Sequence, residues 1–212
     1  NDLVYALGLP KDPVAGAGAL VHSTVRRIDL GRIGDRYYTT VATLGFDSEV
    51  SQYVYEGSAP SFLSGTVAYL YGAIVKLIQY RSPLVRIKGD FGEYEGAIFL
   101  AATGNTSRYG GRMEVTPSAI VDDGKLDLCL IRPVPRRVVL RMLPKTFKGN
   151  HVGHPAVSVQ QTRRLEIESE APLWLWADGE QITQTPATIE VVPLAMPVLV
   201  PQEANGGQTP QD

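Results

Sequence analysis

The sequence predicts a mainly β, α+β domain: an antiparallel β-sandwich or distorted barrel with two or three helices packed outside it. Three observations predict this. Short apolar runs bounded by Gly, Pro, Asn and Asp recur through most of the chain, as strands of a sandwich or barrel do. Only two long segments, 61–81 and 136–147, carry apolar residues at helical spacing. A chain of 212 residues that is 44% hydrophobic can also build one sizeable core.

Taken in order, Asn1-Asp2 precedes Leu3, Val4, Ala6 and Leu7, a polar start followed by an apolar stripe, and Gly8 and Pro10 stop that helix. It does not fit the β unit easily, so residues 1–22 read as the remnant of a neighbouring domain. Residues 15–19 are small and Gly-rich, suiting a short helix with a loop. Segments 24–30 and 36–44 form a hairpin across Gly34-Asp35. The helix at 61–81 follows Pro60, has Ser61 as its cap, spaces Phe62, Val67, Leu70, Ile74, Leu77 and Ile78 along one side, and ends at Pro83. Strands are expected at 84–89, at 91–102 with a break near Glu93, and at 126–132; Gly110-Gly111, Pro117 and Asp122-Asp123-Gly124 mark a loop between the last two. The helix at 136–147 sets Val138, Val139, Met142 and Leu143 against Arg136, Arg137, Arg141 and Lys145. Further strands fall at 157–160, 164–168 and 198–201. Between them Leu173-Trp174-Leu175-Trp176-Ala177 runs into Asp178-Gly179-Glu180, with the return strand expected at 187–192. The β-rich domain is thus 23–201, and the polar Gly- and Pro-containing tail 202–212 reads as disordered.

Composition narrows the function. A formal net charge of −2 gives no whole-molecule field for nucleic acid. The single cysteine, Cys129, lies in an apolar run, reads as a core residue and has no partner for an internal disulfide, which favours a reducing compartment. No signal peptide is evident, and the most apolar helical stretch, 65–78, is too short to span a bilayer and carries Lys76. The first residue is not Met, so sequence upstream is expected.

The residues offer few sites. The acid pair Asp178 and Glu180 at a hairpin tip is either a solvated turn, since Asp-Gly is a common turn dipeptide, or two carboxylates presented by a rigid strand. Asp122-Asp123-Gly124-Lys125 is either a polar turn or a seat for a hard cation, which accepts a carboxylate together with turn carbonyls. Asp29, in a strand pattern, is either on the wet face or placed for chemistry, and the pattern alone favours the wet face. His151 and His154 find no third ligand, and Gly153 and Pro155 argue for a structural loop. The basic face of 136–147 suits either solvent or anionic lipid headgroups. No nucleophile elbow and no Walker-type loop is present.

Several pieces recur in one order: Asn1-Asp2, Arg27-Ile28-Asp29-Leu30-Gly31, Gly45-Phe46-Asp47-Ser48-Glu49-Val50, Gly104-Asn105, Gly110-Gly111, Pro117, Asp122 to Leu126, and Asp178-Gly179-Glu180. This order resembles the bacterial diacylglycerol kinase family of lipid kinases, related to the sphingosine kinases, over residues 1–201. The resemblance implies an NAD-kinase-like C-terminal domain. It implies that Asn1-Asp2 ends a nucleotide-binding segment, so Asn1 would touch the cofactor ATP, while the Gly-Gly-Asp-Gly-Thr loop of the upstream domain is missing and this chain alone should be inactive. It implies Glu180 as the proton acceptor for a lipid hydroxyl, Asp178 as its neighbour, and Asp2 and Asp29 in an aspartate, water and Mg²⁺ network near the phosphates. A structural Mg²⁺ on Asp123 and the carbonyls of Ile120 and Lys125 is implied as well. The expected partners are a membrane lipid, most of all diacylglycerol, and ATP, with peripheral contact at the cytoplasmic face of the membrane, no nucleic acid, and a homodimer as the family's suggestion. The competing class is a non-catalytic lipid- or protein-binding β domain that keeps the motifs.

Overall fold

Alternating burial along β4 (Leu84–Gly89) and β9 (Arg164–Ser169) marks a sheet with one wet face. Val85, Ile87, Leu165 and Ile167 point inward, while on the outer face Arg86 stands opposite Glu168 and Lys88 opposite Glu166, the opposite-charge pairing that stabilises adjacent strands. The computed structural model describes residues 2–63, 65–110 and 112–202. Asn1 and the predicted tail beyond residue 202 lie outside the described residues.

Before β4 come α1 (Asp2–Ala6), α2 (Pro13–Ala19), β1 (Ser23–Ile33), β2 (Arg36–Tyr38), β3 (Val41–Gly45), α3 (Phe46–Tyr55) and α4 (Gly65–Gln79). Then follow β5 (Gly92–Ala97), β6 (Leu100–Gly104), β7 (Leu126–Ile131), α5 (Arg136–Thr146), β8 (Val157–Thr162), and, after β9, β10 (Trp174–Ala177), β11 (Glu180–Gln184) and β12 (Ala187–Pro201). Every strand pairing is antiparallel, in two six-stranded sheets ordered β2-β1-β12-β9-β4-β5 and β11-β10-β3-β6-β7-β8. The predicted sandwich is therefore the fold; the barrel alternative is not, because each sheet keeps two edges.

The two sheets bury a common core that includes Ile87, Leu165 and Ile189 from the first and Leu44, Leu128 and Leu175 from the second. The second sheet is covered on its other face too, where Val41, Ala102, Cys129 and Ile131 meet Phe46 of α3, Leu77 of α4 and Met142 of α5. Three layers result, and the middle one is dry on both sides. All six residues of β7 are buried for this reason, and burial pushes the Cys129 thiol up to about 12, as befits a core residue. α1 also has a seat: Leu7 packs with Ile28, Val121 and Val200 at one end of β1 and β12.

Four strand and helix expectations are corrected. The segment 36–44 is two strands, β2 and β3, in different sheets, because the chain steps between layers at Thr39-Thr40. Likewise 91–102 divides into β5 and β6 across Ile98-Phe99. The strand returning from the acidic tip is β11, with Ala177 opposite Glu180, whereas 187–192 opens β12 in the other sheet. α3 was not expected, although Phe46, Val50, Tyr53 and Val54 have helical spacing and Asp47 and Glu49 lie in its first turn.

Candidate functional site

The acidic tip is built by its turn. Asp178 and Gly179 both adopt positive φ, 50° and 85°, the conformation that a two-residue hairpin loop demands and that Asp-Gly tolerates. That turn aims Asp178 back at the layer crossing. Thr39 and Thr40 each donate a backbone N–H and a hydroxyl to its carboxylate, at 2.5–2.9 Å. Asp178 thus clamps the crossing and has no free lone pair pointing elsewhere. Glu180 faces outward beside it. Its carboxylate pairs with Arg36 at 2.6 Å, with side chains 68% and 56% exposed, an ion pair that solvent screens and an incoming group can displace.

Asp178 and Gly179 line a crevice of about 470 Å³ together with Asp2, Thr39, Thr40, Thr43, Asp47, Tyr69, Tyr109 and Trp176. Two expected site residues, Asp2 and Asp178, thereby share one opening; Glu180 is the next residue along the chain after Gly179 but does not line it. Asp29 does not line it. Asp29 is fully buried, which corrects the wet-face expectation. One carboxylate oxygen accepts the N–H of Gly124 and the other the N–H of Leu194, each at 2.7 Å, while its own N–H donates to Val121. It sits where the β1–β12 register shifts between Ile28 and Leu30, so one side chain fixes both the bulge in β12 and the 121–124 turn. A hydrogen-bonded path still links it to the tip, since Asn105 donates to the carbonyls of Asp29 and Thr39.

That turn, with the residue on either side, contains Ile120, Asp123 and Lys125, the residues of the expected cation seat. Asp122 pairs with Arg26, leaving Asp123 as its free acid, and one Asp123 oxygen accepts the N–H of Lys125 at 3.0 Å. Among the described residues no three His, Cys, Asp or Glu side chains gather around one point. A seat of one carboxylate plus the Ile120 and Lys125 carbonyls is a donor set that fits Mg²⁺, which keeps several waters. His151 and His154 are structural: His151 is buried with Nε2 3.2 Å from the Val115 carbonyl and 3.8 Å from Cys129 Sγ, and His154 accepts the N–H of Ala156.

Sequence reasoning missed the floor of the crevice. Asp47, in the first turn of α3, accepts hydroxyl hydrogen bonds from Thr43 at 2.8 Å, from Tyr69 of α4 and from Tyr109. Burial raises its pKa above the ordinary 3.8, and those three hydroxyls only partly offset the shift. Behind it, under α4 and α5, lies an apolar cavity of about 270 Å³ lined by residues such as Leu70, Leu77, Leu100 and Met142, and by the same Asp47, Tyr69 and Tyr109. The helical spacing from Phe46 could have revealed α3, but no local pattern joins positions 47, 69 and 109.

The raised pKa gives a stability prediction. The fold holds the Asp47 proton more tightly than the unfolded chain does, so between the ordinary and the raised value its contribution to stability falls as pH rises. Asp47→Asn removes that penalty. The melting temperature of the variant minus that of the wild type should climb from about pH 4 to pH 7, measured by thermal denaturation; a flat or falling difference refutes it.

Two antiparallel sheets and a helical layer, with an acid-lined crevice beside an apolar cavity, make up a β-sandwich domain in which a polar and an apolar space share a wall. The chain belongs to the family described as the YegS C-terminal NAD kinase beta sandwich-like domain, which matches residues 40–200. A diacylglycerol kinase of Mycobacterium tuberculosis is 34% identical over 209 residues, covering 95% of this chain and 66% of that protein. One from Staphylococcus carnosus is 28% identical, covering 88% and 60%. A crystal structure of a diacylglycerol kinase from Bacillus anthracis shares the fold with a TM-score of 0.71 at 19% identity, over 93% of this chain and 64% of that one. The chain therefore spans about two thirds or less of these relatives. No helix among the described residues is long and apolar enough to cross a membrane.

Proposed function

We propose that this chain is the C-terminal portion of an ATP- and Mg²⁺-dependent lipid kinase that phosphorylates the free hydroxyl of a membrane lipid, diacylglycerol above all. The observation that carries this reading is the junction of the acid-lined crevice with the apolar cavity, which share a wall at Asp47, Tyr69 and Tyr109. An acyl chain suits the cavity and a hydroxyl suits the crevice. The lipid oxygen attacks the γ-phosphorus, the bond to the β-phosphate oxygen breaks, ADP leaves, and Glu180 takes the hydroxyl proton. Asp178 holds the tip that carries Glu180. Asp2 stands in the crevice for the Mg²⁺ and water network, and Asp29 serves it by fixing the neighbouring turn. Mg²⁺, when bound, neutralises phosphate charge; Asp123 and the Ile120 and Lys125 carbonyls would hold a second, structural ion. ATP would be held with an upstream nucleotide-binding domain.

Peripheral binding at the cytoplasmic face of a bilayer fits the same arrangement. Leu70, Ile74, Leu140 and Leu143 line the cavity yet are exposed on α4 and α5, and Arg137, Arg141 and Lys145 accompany them on α5, a mixture suited to anionic headgroups. The alternative, a lipid-binding domain without catalysis, draws on Asp178 being wholly engaged by Thr39 and Thr40.

A phosphorylation assay on the whole protein decides. Glu180→Gln should lower kcat for dioctanoylglycerol by about 10²–10⁴-fold with the lipid KM little changed. A kcat within about threefold of wild type removes Glu180 from the chemistry, and no lipid phosphorylation by the wild type with ATP and Mg²⁺ favours the non-catalytic domain.

A further inference from the structure

Three side chains belong to both the crevice and the cavity, and the reaction outlined above gives them no task. Asp47 is 8% exposed, and its acceptors are engaged by the hydroxyls of Thr43, Tyr69 and Tyr109. A carboxylate has about four lone-pair positions, so one remains for a ligand. What occupies it must donate a hydrogen bond. All three partners are neutral hydroxyls, and among the described residues no Lys, Arg or His lines the crevice or the cavity, whereas Asp2, Asp47 and Asp178 all line the crevice. An anionic headgroup would enter a space with three acids and, among the described residues, no lining cation, where the low dielectric magnifies the repulsion. Trp176, also in the crevice wall, has a buried indole N–H without an acceptor; a buried donor of this kind is completed by an oxygen such as an ester carbonyl.

We propose that Asp47, held by Thr43, Tyr69 and Tyr109, determines lipid specificity by accepting the free hydroxyl of an uncharged acylglycerol as it docks, and that the acid-only lining rejects lipids with anionic headgroups. This rests on the cavity being the acyl-chain site. Asp47 acts on the docked lipid and Glu180 on the reacting one, so the first governs which lipids bind and the second how fast the bound lipid reacts. Trp176 donates to an ester carbonyl of the same lipid.

The test is equilibrium binding to this 212-residue chain, followed by tryptophan fluorescence, with folding of each variant checked by circular dichroism. Three short-chain probes are compared: dioctanoylglycerol, the dioctanoyl ester of propanediol that lacks the hydroxyl, and dioctanoyl phosphatidylglycerol. The wild type should bind the first about ten-fold or more tighter than either of the others, the scale set by one hydrogen bond to a carboxylate. Asp47→Asn should bring all three within about threefold of one another. The ratio between probes is the readout, because a purely structural role would weaken all three together and leave it unchanged. Equal binding of the first two probes by the wild type, phosphatidylglycerol bound as tightly as dioctanoylglycerol, or a folded Asp47→Asn chain with undiminished discrimination each overturns the assignment while leaving the cavity as the chain site. A folded wild type that binds none of the three overturns the cavity reading as well. A long-chain amine bound more tightly than dioctanoylglycerol makes Asp47 a cation site and overturns the commitment to an uncharged lipid.

Discussion

Asp29→Leu is expected to cost about 4 kcal/mol of folding stability, roughly 10 °C in melting temperature for a chain of this size. The side chain is fully buried, and each of its carboxylate oxygens accepts a backbone N–H, from Gly124 and from Leu194. Leucine keeps the branched shape but is bulkier and strands both donors without water, and each orphaned donor costs about 1–3 kcal/mol. The loss is local in origin and wide in effect. The bulge of β12 and the turn holding Asp123 share this one anchor, so both should loosen together. Chemical denaturation gives the free energy, and amide exchange at Gly124 and Leu194 gives the location. A loss under about 1 kcal/mol, or faster exchange at one of the two sites alone, contradicts this account.

Gly45→Ala should cost about 3 kcal/mol and misplace α3. Gly45 joins β3 to α3 at φ 98°, where an added Cβ would lie 2.8 Å from the Phe99 carbonyl oxygen and 3.1 Å from the Tyr80 hydroxyl. The first of these is backbone and cannot swing aside. The same carbonyl accepts the N–H of Phe46 at 2.9 Å and the hydroxyl of Tyr80 at 3.0 Å, so relieving the clash breaks the bonds that start the helix. Asp47 is two residues on. The variant should lose stability in denaturant melts and should also bind dioctanoylglycerol more weakly than a variant of equal stability altered far from α3. Wild-type stability would show that the joint tolerates a side chain.

Much of this arrangement is legible in the sequence, for identifiable physical reasons. The strands of the outer sheet show in the alternation of Leu84 to Gly89 and Arg164 to Ser169, because one face meets water and the other the core. β7 shows instead as an unbroken apolar run, because it lies between two layers. The tip shows in Asp178-Gly179, since the turn needs residues that accept positive φ. What sequence does not show is which sheet a strand joins. Residues 36–44 and 91–102 each look continuous, and nothing local announces that the chain changes layers inside them. Distance in sequence hides the rest: the partners of Asp29 lie 95 and 165 residues away, and the crevice floor is collected from α3, α4 and the loop before β7. Asp29 was legible as unusual, an acid within a strand, but its neighbours alone could not say that it was sealed in rather than wet.

Among the described residues, the core shared by the two sheets has none from a helix, whereas the cavity is roofed by α4 and α5. Lifting that roof would wet the outer cluster and leave the inter-sheet seam shut. The frame that carries Asp178 and Glu180 is thus held by a seam separate from the cluster that α4 and α5 cover, so a substitution under the helices should leave that frame standing.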